Sequence, residues 1–187
     1  MMVGLGGVGG FFGGLLAGRY AADPENEVIF VCRGPHGKVI RDEGLKVITA
    51  EGDSFSVKPD LVATDLSDVG AADLIIFAVK GYDLEKAALT VAPAVNEHTV
   101  ILPLLNGVNN AAILAGLFPK ARILNGCVYI SSRIEEPGVV HHVGGPGKIF
   151  FGPEEEDAGS YEYIEKLLVD AGINARLTDS IRLEVWR

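Results

Sequence analysis

The glycine spacing near the N-terminus constrains the fold of this chain more than any other feature of its sequence. Glycines stand at positions 4, 6 and 9, directly after Val3, and the apolar residues that follow recur at helical spacing. In such a Gly-x-Gly-x-x-Gly pattern one glycine turns the chain, the next lets a phosphate approach the backbone, and the third lets a helix pack on a strand. The pattern predicts a strand, a turn and a helix whose free N–H groups bind the pyrophosphate of a dinucleotide.

Many glycine-rich turns only reverse the chain, so the surrounding sequence decides between the two interpretations. Only Met1, Met2 and Val3 precede Gly4, whereas a typical strand has about five or six residues. Three later apolar runs are too short for helices and predict buried parallel strands: Val28 to Cys32, Leu74 to Val79 and Thr99 to Leu105. A helix capped by Asp83 is expected between the last two of these strands, and another helix, from Asn109 to Phe118, after the third. This alternation predicts an α/β fold with a doubly wound, Rossmann-like parallel sheet.

The remaining segments predict smaller elements around that sheet. A hairpin is expected around Glu51-Gly52-Asp53, followed by a strand from Leu61 to Thr64. Pro and Gly turns then separate three strands of a short antiparallel meander: Cys127 to Ser132, Val139 to His142 and Lys148 to Phe151. The last predicted elements are a helix that ends before Gly172, a strand, and a helix capped by Asp179 or Ser180: Tyr161 to Asp170, Ile173 to Leu177, and a segment with Ile181, Val185 and Trp186.

Composition excludes several classes of protein. The chain has 187 residues, of which 48% are hydrophobic, and this length allows one domain and the start of a second. A net charge of −9 disfavours binding to nucleic acid. The longest apolar runs have six residues, far below the roughly 20 that a membrane helix needs. Cys32 and Cys127 lie in apolar runs, as small buried hydrophobic residues do. At the N-terminus, glycines rather than a basic segment precede the apolar stretch, which is not the pattern of a signal peptide, so we expect a cytoplasmic protein.

The charge at the end of the second strand bears on which dinucleotide would bind. NAD sites usually place an acid there, about 20 residues after the glycines. Asp23, Glu25 and Glu27 have that separation, but they precede the strand Val28 to Cys32. The residue at the carboxyl end is Arg33, whose guanidinium suits a 2′-phosphate. The sequence therefore predicts NADP (NADPH), although a solvated arginine is the simpler alternative.

Two further polar residues directly follow buried strands. Lys80 comes after one apolar strand and Asn106 after another, so both are expected in the crevice where an open α/β sheet binds its ligand. Taken singly, a lysine there is often only solvated, and Asn-Gly is a common turn. Tyr82 could flank the cofactor or lie on the surface. No metal site is expected, since His141 and His142 are adjacent on a strand and point to opposite faces.

The chain resembles the ketopantoate reductases (2-dehydropantoate 2-reductases) in five segments: Gly4 to Gly10, Arg33, Ala78-Val79-Lys80, Leu105-Asn106-Gly107 and Ile181 to Arg187. The resemblance implies an NADP-binding Rossmann-type domain over residues 1–178, with residues 179–187 starting a C-terminal helical domain that is otherwise absent. It assigns the pyrophosphate to Gly4, Leu5, Gly6, Gly7, Val8 and Gly9. It also implies Arg33 for the 2′-phosphate, Lys80 for the nicotinamide-side ribose or phosphate, Asn106 for both cofactor and substrate, and Ser132 beside the nicotinamide.

The same resemblance implies a reaction, the NADPH-dependent reduction of 2-dehydropantoate to pantoate in pantothenate and coenzyme A synthesis. The proton-donating lysine of the family comes directly after the Trp-Arg matched by Trp186-Arg187, so no catalytic residue is expected within the chain and the chain alone is expected to be inactive. The implied partner is a small keto acid, and a homodimer is possible. Two alternatives stay open: a dehydrogenase of another small 2-keto acid, and a non-catalytic NAD(P)-sensing module.

Overall fold

The computed structural model describes residues 1–154 and 156–185. Its strands are β1 (Met2–Val3), β2 (Ile29–Val31), β3 (Leu45–Ile48), β4 (Ser54–Val57), β5 (Leu61–Ala63), β6 (Leu74–Phe77), β7 (Val100–Pro103), β8 (Arg122–Ile123), β9 (Asn125–Glu136), β10 (Val139–Gly152) and β11 (Asn174–Leu177). Its helices are α1 (Gly7–Tyr20), α2 (Gly34–Glu43), α3 (Leu84–Val91), α4 (Asn110–Leu117), α5 (Glu162–Asp170) and α6 (Ile181–Val185). The predicted helices and parallel strands are confirmed within a few residues. Trp186, predicted for the last helix, lies outside the described residues.

The main sheet has six parallel strands in the order β5-β2-β1-β6-β7-β8. The chain leaves the central strand β1 in one direction and returns to build the other half from β6 onward, which is the doubly wound arrangement that the sequence predicts. Strands β2 and β7 are buried throughout, and β6 is buried except at its first residue, in accord with their continuous apolar sequences. The switch in direction places the ends of β1, β2, β6 and β7 around one crevice.

A second sheet corrects one prediction. The expected meander of three short strands is a hairpin of two long ones, β9 and β10, whose register shifts around Gly144 and before Lys148. Gly145 and Gly147 have φ of +82° and +58°, so the Gly-Pro-rich segment produces irregularities inside β10 rather than a turn. Strand β10 also pairs in parallel with β3 and β11, and β3 pairs with β4 as the predicted hairpin. This second sheet is therefore a mixed five-stranded one.

Helix α1 packs between the two sheets. Phe12 is almost completely buried, and the core around it contains side chains of the parallel sheet, such as Phe30, and of the mixed sheet, such as Val140 and Phe151. A separate core lies on the opposite face of the parallel sheet, beneath α3 and α4. Because α1 starts at the glycine loop, packing against both sheets fixes the position of that loop.

The close approach of Gly9 predicts an unusual response to substitution. A Cβ at Gly9 would lie 1.9 Å from the carbonyl oxygen of Gly4, whereas a Cβ at Gly116 in α4 would meet nothing within 4 Å. Alanine normally stabilises a helix interior by about 0.5–1 kcal/mol relative to glycine. We expect Gly116→Ala to raise the melting temperature and Gly9→Ala to lower it, because overpacking costs about 1–3 kcal/mol. Calorimetric melting of both variants checks this, and a stabilised Gly9→Ala would contradict the packing described.

Candidate functional site

A cavity of about 460 Å³ lies at the carboxyl ends of β1, β2, β6 and β7. Its lining includes Gly4 to Val8, Arg33, Lys80, Asn106 and Ser132. The structure thus brings together at one crevice the polar residues that the sequence singled out, with Gly9 buried just behind the loop. Tyr82 does not line the cavity, and 86% of its surface is exposed.

The glycine loop leaves the start of α1 open toward this cavity. Gly4 has a φ of +87°, a conformation that favours glycine, and its N–H donates to the carbonyl of Val31 at 3.0 Å. Gly6 is the N-cap of α1, where no side chain caps the helix, and no acidic residue lies in its first turn. A Cβ at Gly6 would meet nothing within 4 Å. Free N–H groups, a positive helix end and open space above Gly6 suit a phosphate group.

The side chains of the other loop residues pack on the protein rather than extend into the open space above Gly6. Leu5 is only 3% exposed and its side chain belongs to the core. A Cβ at Gly7 would lie 2.2 Å from the carbonyl oxygen of Ser132, so the loop lies directly against β9. Val8 is half-buried and packs on the same core. Any ligand contact from Leu5 or Gly7 would therefore come from the backbone.

Ser132 carries an orphaned polar group. Its Oγ is buried and has no hydrogen-bond partner among the described residues, although it lines the cavity. A buried hydroxyl without a partner loses the free energy of a hydrogen bond, which a ligand could restore. The unpartnered hydroxyl and the open space at Gly6 are both features that a polar dinucleotide could fill, so the residues present fit such a cofactor.

Arg33 lies at the N-cap position of α2, at the carboxyl end of β2 as predicted, with only Cys32 between the strand and the arginine. Its Nη2 is 3.7 Å from Oδ1 of Asp83, and 63% of the Arg33 side chain and 39% of the Asp83 side chain are exposed. The prediction that Asp83 caps α3 is wrong in one respect, because Asp83 occupies the N-cap position but its side chain makes no capping hydrogen bond. The carboxylate faces Arg33 instead.

Lys80 and Asn106 are both exposed at the mouth of the crevice. Lys80 precedes a single 3₁₀ turn, Gly81–Asp83, and its carbonyl accepts from the Asp83 N–H at 2.9 Å. The turn that carries Asn106 is held by the buried Asn110, whose Nδ2 donates to the carbonyls of Leu105, Asn106 and Gly107 at 3.1, 3.2 and 2.7 Å. Sequence reasoning missed Asn110, because any Asn near an Asn-Gly turn has the same local signature.

Two titratable groups line the cavity wall beside Arg33. Nδ1 of His36 accepts from the Gly138 N–H at 3.0 Å, and burial lowers the pKa of His36, so the neutral imidazole is favoured. Burial raises the pKa of the Cys32 thiol to about 11, which keeps it protonated near neutral pH and therefore a weak nucleophile. Neither group supplies charge to the site at neutral pH.

Of the two adjacent histidines on β10, His142 packs in the interior and His141 lies beside a carboxylate. His142 is buried and its ring centroid lies 4.6 Å from that of Phe11, while Nδ1 of His141 lies 3.4 Å from Oε2 of Glu135. Among residues 1–154 and 156–185, no group of three His, Cys, Asp or Glu side chains is placed to hold a metal ion. Within the same residues, no helix has the length and apolar character to cross a membrane.

Comparison with known proteins agrees with this architecture. Residues 1–156 match the family described as ketopantoate reductase PanE/ApbA. The chain belongs to the ketopantoate reductase family. A curated family relative, 2-dehydropantoate 2-reductase of Mesorhizobium japonicum, is 27% identical over 95% of this chain and 60% of its own length.

Solved structures show the same relation. The crystal structure of 2-dehydropantoate 2-reductase from Porphyromonas gingivalis W83 superimposes with a TM-score of 0.90 and 36% identity, over 98% of this chain and 64% of that one. A ternary structure of D-mandelate dehydrogenase with NADH and anilino(oxo)acetate gives a TM-score of 0.85, covering 100% of this chain and 59% of that one. Its identity is 24%, so the likeness shows the fold alone. The chain spans about 60% of the length of the curated relatives it matches along nearly its whole sequence.

Proposed function

We propose that this chain binds NADPH in the crevice and is the cofactor-binding part of a reductase that converts 2-dehydropantoate to pantoate. The observation that carries the proposal is the open space above Gly6, at an uncapped helix N-terminus in the crevice that also holds Arg33. Family membership supports the reductase class, and the names of the relatives support the substrate.

Each crevice residue has a proposed role that matches its position. The backbone of Gly4, Leu5, Gly6, Gly7, Val8 and Gly9 would hold the pyrophosphate, and Arg33 would donate to the 2′-phosphate. Lys80 would bind the ribose or phosphate on the nicotinamide side. Asn106 would contact both cofactor and substrate, from a turn that Asn110 holds in place. The orphaned hydroxyl of Ser132 would lie beside the nicotinamide.

NADPH supplies a hydride when it is bound, and the protein must manage the charge that results. Hydride transfer to the ketone carbon leaves negative charge on the oxygen, which an ammonium group stabilises and then protonates. We propose that this ammonium belongs to the lysine that the family pattern places after Arg187. Residues 1–178 would then form the NADP-binding domain, and residues 179–187 would lead into a second, helical domain.

A cytoplasmic setting is part of the proposal. Cys32 and Cys127 are free thiols, as a reducing compartment maintains them. The proposed substrate and cofactor, a small keto acid and NADPH, are both water-soluble. The proposed reaction therefore needs neither a membrane nor a nucleic acid.

The test is spectrophotometric. The protein encoded by the whole gene should oxidise NADPH with 2-dehydropantoate at a kcat/KM at least about tenfold above that for pyruvate or phenylglyoxylate. The 187-residue chain alone should be slower by at least about 10² to 10⁴, the usual contribution of a general acid. Turnover by the 187-residue chain near the rate of the whole protein would show that the proton donor lies within it, with Lys80 the first candidate.

A dehydrogenase of a different 2-keto acid is the second candidate. The observation that favours keeping it is that one fold neighbour is a D-mandelate dehydrogenase, so this fold is compatible with another substrate and with NADH. Activity with phenylglyoxylate or another 2-keto acid above that with 2-dehydropantoate would decide for this candidate and against the first.

A further inference from the structure

The carboxylate of Asp83 lies beside Arg33, the cation to which a 2′-phosphate would bind. Its Oδ1 is 3.7 Å from Nη2 of Arg33, and both side chains line the cavity. The two residues are 50 positions apart, and they meet because β2 and the segment after β6 end on the same side of the sheet. Arg33 therefore already has an anionic neighbour before any nucleotide enters.

Asp83 is not needed elsewhere for the fold. Although it stands at the N-cap of α3, its side chain accepts no capping hydrogen bond, and its local contribution comes from the backbone, whose N–H donates to the carbonyl of Lys80. The ion pair with Arg33 is itself exposed and longer than a hydrogen bond, so it adds little to stability and is easily opened. The carboxylate of Asp83 can therefore interact, by repulsion or by accepting a hydrogen bond, with a ligand group that binds beside Arg33.

We propose that Asp83 is a specificity-determining residue that narrows the preference of this chain for NADPH over NADH. This inference rests on the proposed function, because it requires that a nicotinamide dinucleotide binds in the crevice. A 2′-phosphate must displace the carboxylate from Arg33 and then remain near a like charge. A ribose 2′-hydroxyl meets no such repulsion and can donate a hydrogen bond to a carboxylate. Among the described residues that line the cavity, the charged side chains are the cations Arg33 and Lys80 and the anion Asp83. Removing the carboxylate of Asp83 therefore makes the net charge around a bound nucleotide more positive.

The test compares Asp83→Asn with Asp68→Asn, which removes the same charge from an exposed loop outside the cavity. NADPH and NADH are titrated calorimetrically into the parent chain and both variants at low ionic strength. Asp83→Asn should bind NADPH about two- to fivefold more tightly, the scale of an exposed charge pair, while NADH binding stays equal or weakens. The gain should shrink in high salt, where exposed charges are screened. Asp68→Asn should leave both affinities unchanged.

Each outcome is decisive. An unchanged ratio of NADPH to NADH affinity in Asp83→Asn overturns the role of Asp83 while leaving the proposed function in place. Should Asp83→Asn fold poorly, Asp83→Ser, which keeps a good N-cap residue, must show the same shift in ratio. Absence of binding by both nucleotides to the folded parent chain overturns the proposed function and this inference together.

Discussion

Gly6→Val is expected to abolish binding of NADPH, with a loss of at least about a hundredfold in affinity, while the chain stays folded. The valine side chain would fill the space above the N-terminus of α1, where a Cβ now meets nothing within 4 Å. Because a Cβ at Gly6 meets no protein atom within 4 Å and the φ of Gly6 is −66°, outside the left-handed region, we expect the chain to accept the side chain without refolding. The cost to the free energy of unfolding should be about 1 kcal/mol, since valine is a poor N-cap residue.

Gly70→Val is the matched control for this substitution. Gly70 is exposed, a Cβ there also meets nothing within 4 Å, and it lies outside the cavity lining. Near-ultraviolet circular dichroism should show that both variants keep the native packing, and only Gly6→Val should lose its calorimetric signal with NADPH. Native packing together with unchanged NADPH affinity in Gly6→Val would remove the glycine loop from the proposed site.

Arg33→Ala is expected to remove the preference for NADPH over NADH. A hydrogen bond to a charged group contributes about 1.5–3 kcal/mol, so NADPH affinity should fall by about ten- to a hundredfold. NADH affinity should change little, because a bare 2′-hydroxyl makes no ion pair. The loss of Arg33 also leaves Asp83 without its cation, which strengthens the repulsion of a 2′-phosphate.

Arg176→Ala provides the comparison, because Arg176 is exposed on β11 and does not line the cavity. Titration of both nucleotides into both variants separates a specific role for Arg33 from a general loss of positive charge. If Arg33→Ala binds NADPH as tightly as the parent chain does, Arg33 is a solvated arginine, the alternative that the sequence left open.

Much of the fold was predictable because its signals are local. Continuous apolar runs such as Leu74–Phe77 specify strands that are buried on both faces, and the glycine loop specifies the strand-turn-helix start. The residues expected in the crevice come two or three residues after the ends of such strands. Since parallel strands place their carboxyl ends together, Arg33, Lys80 and Asn106 could be assigned to one site without any knowledge of long-range contacts.

The contacts that sequence reasoning missed join distant parts of the chain. The Gly144–Gly147 segment has the composition of a turn, yet pairing with β9 on one side and with β3 and β11 on the other keeps it inside one long strand. Asp83 carries an ordinary capping signature, and only the three-dimensional structure places its carboxylate beside Arg33. The close packing of Gly7 against the backbone of Ser132 in β9 is likewise a contact between distant parts of the chain.

A calorimetric titration of NADPH into the 187-residue chain tests the central claim most directly. We expect saturable binding at one site per chain, with an affinity that falls as the salt concentration is raised and that exceeds the affinity for NADH. Each neutralised phosphate contact adds to that salt dependence, as for other phosphate-binding sites. A folded chain that gives no binding heat at several temperatures, and no increase in melting temperature with millimolar NADPH, would contradict it.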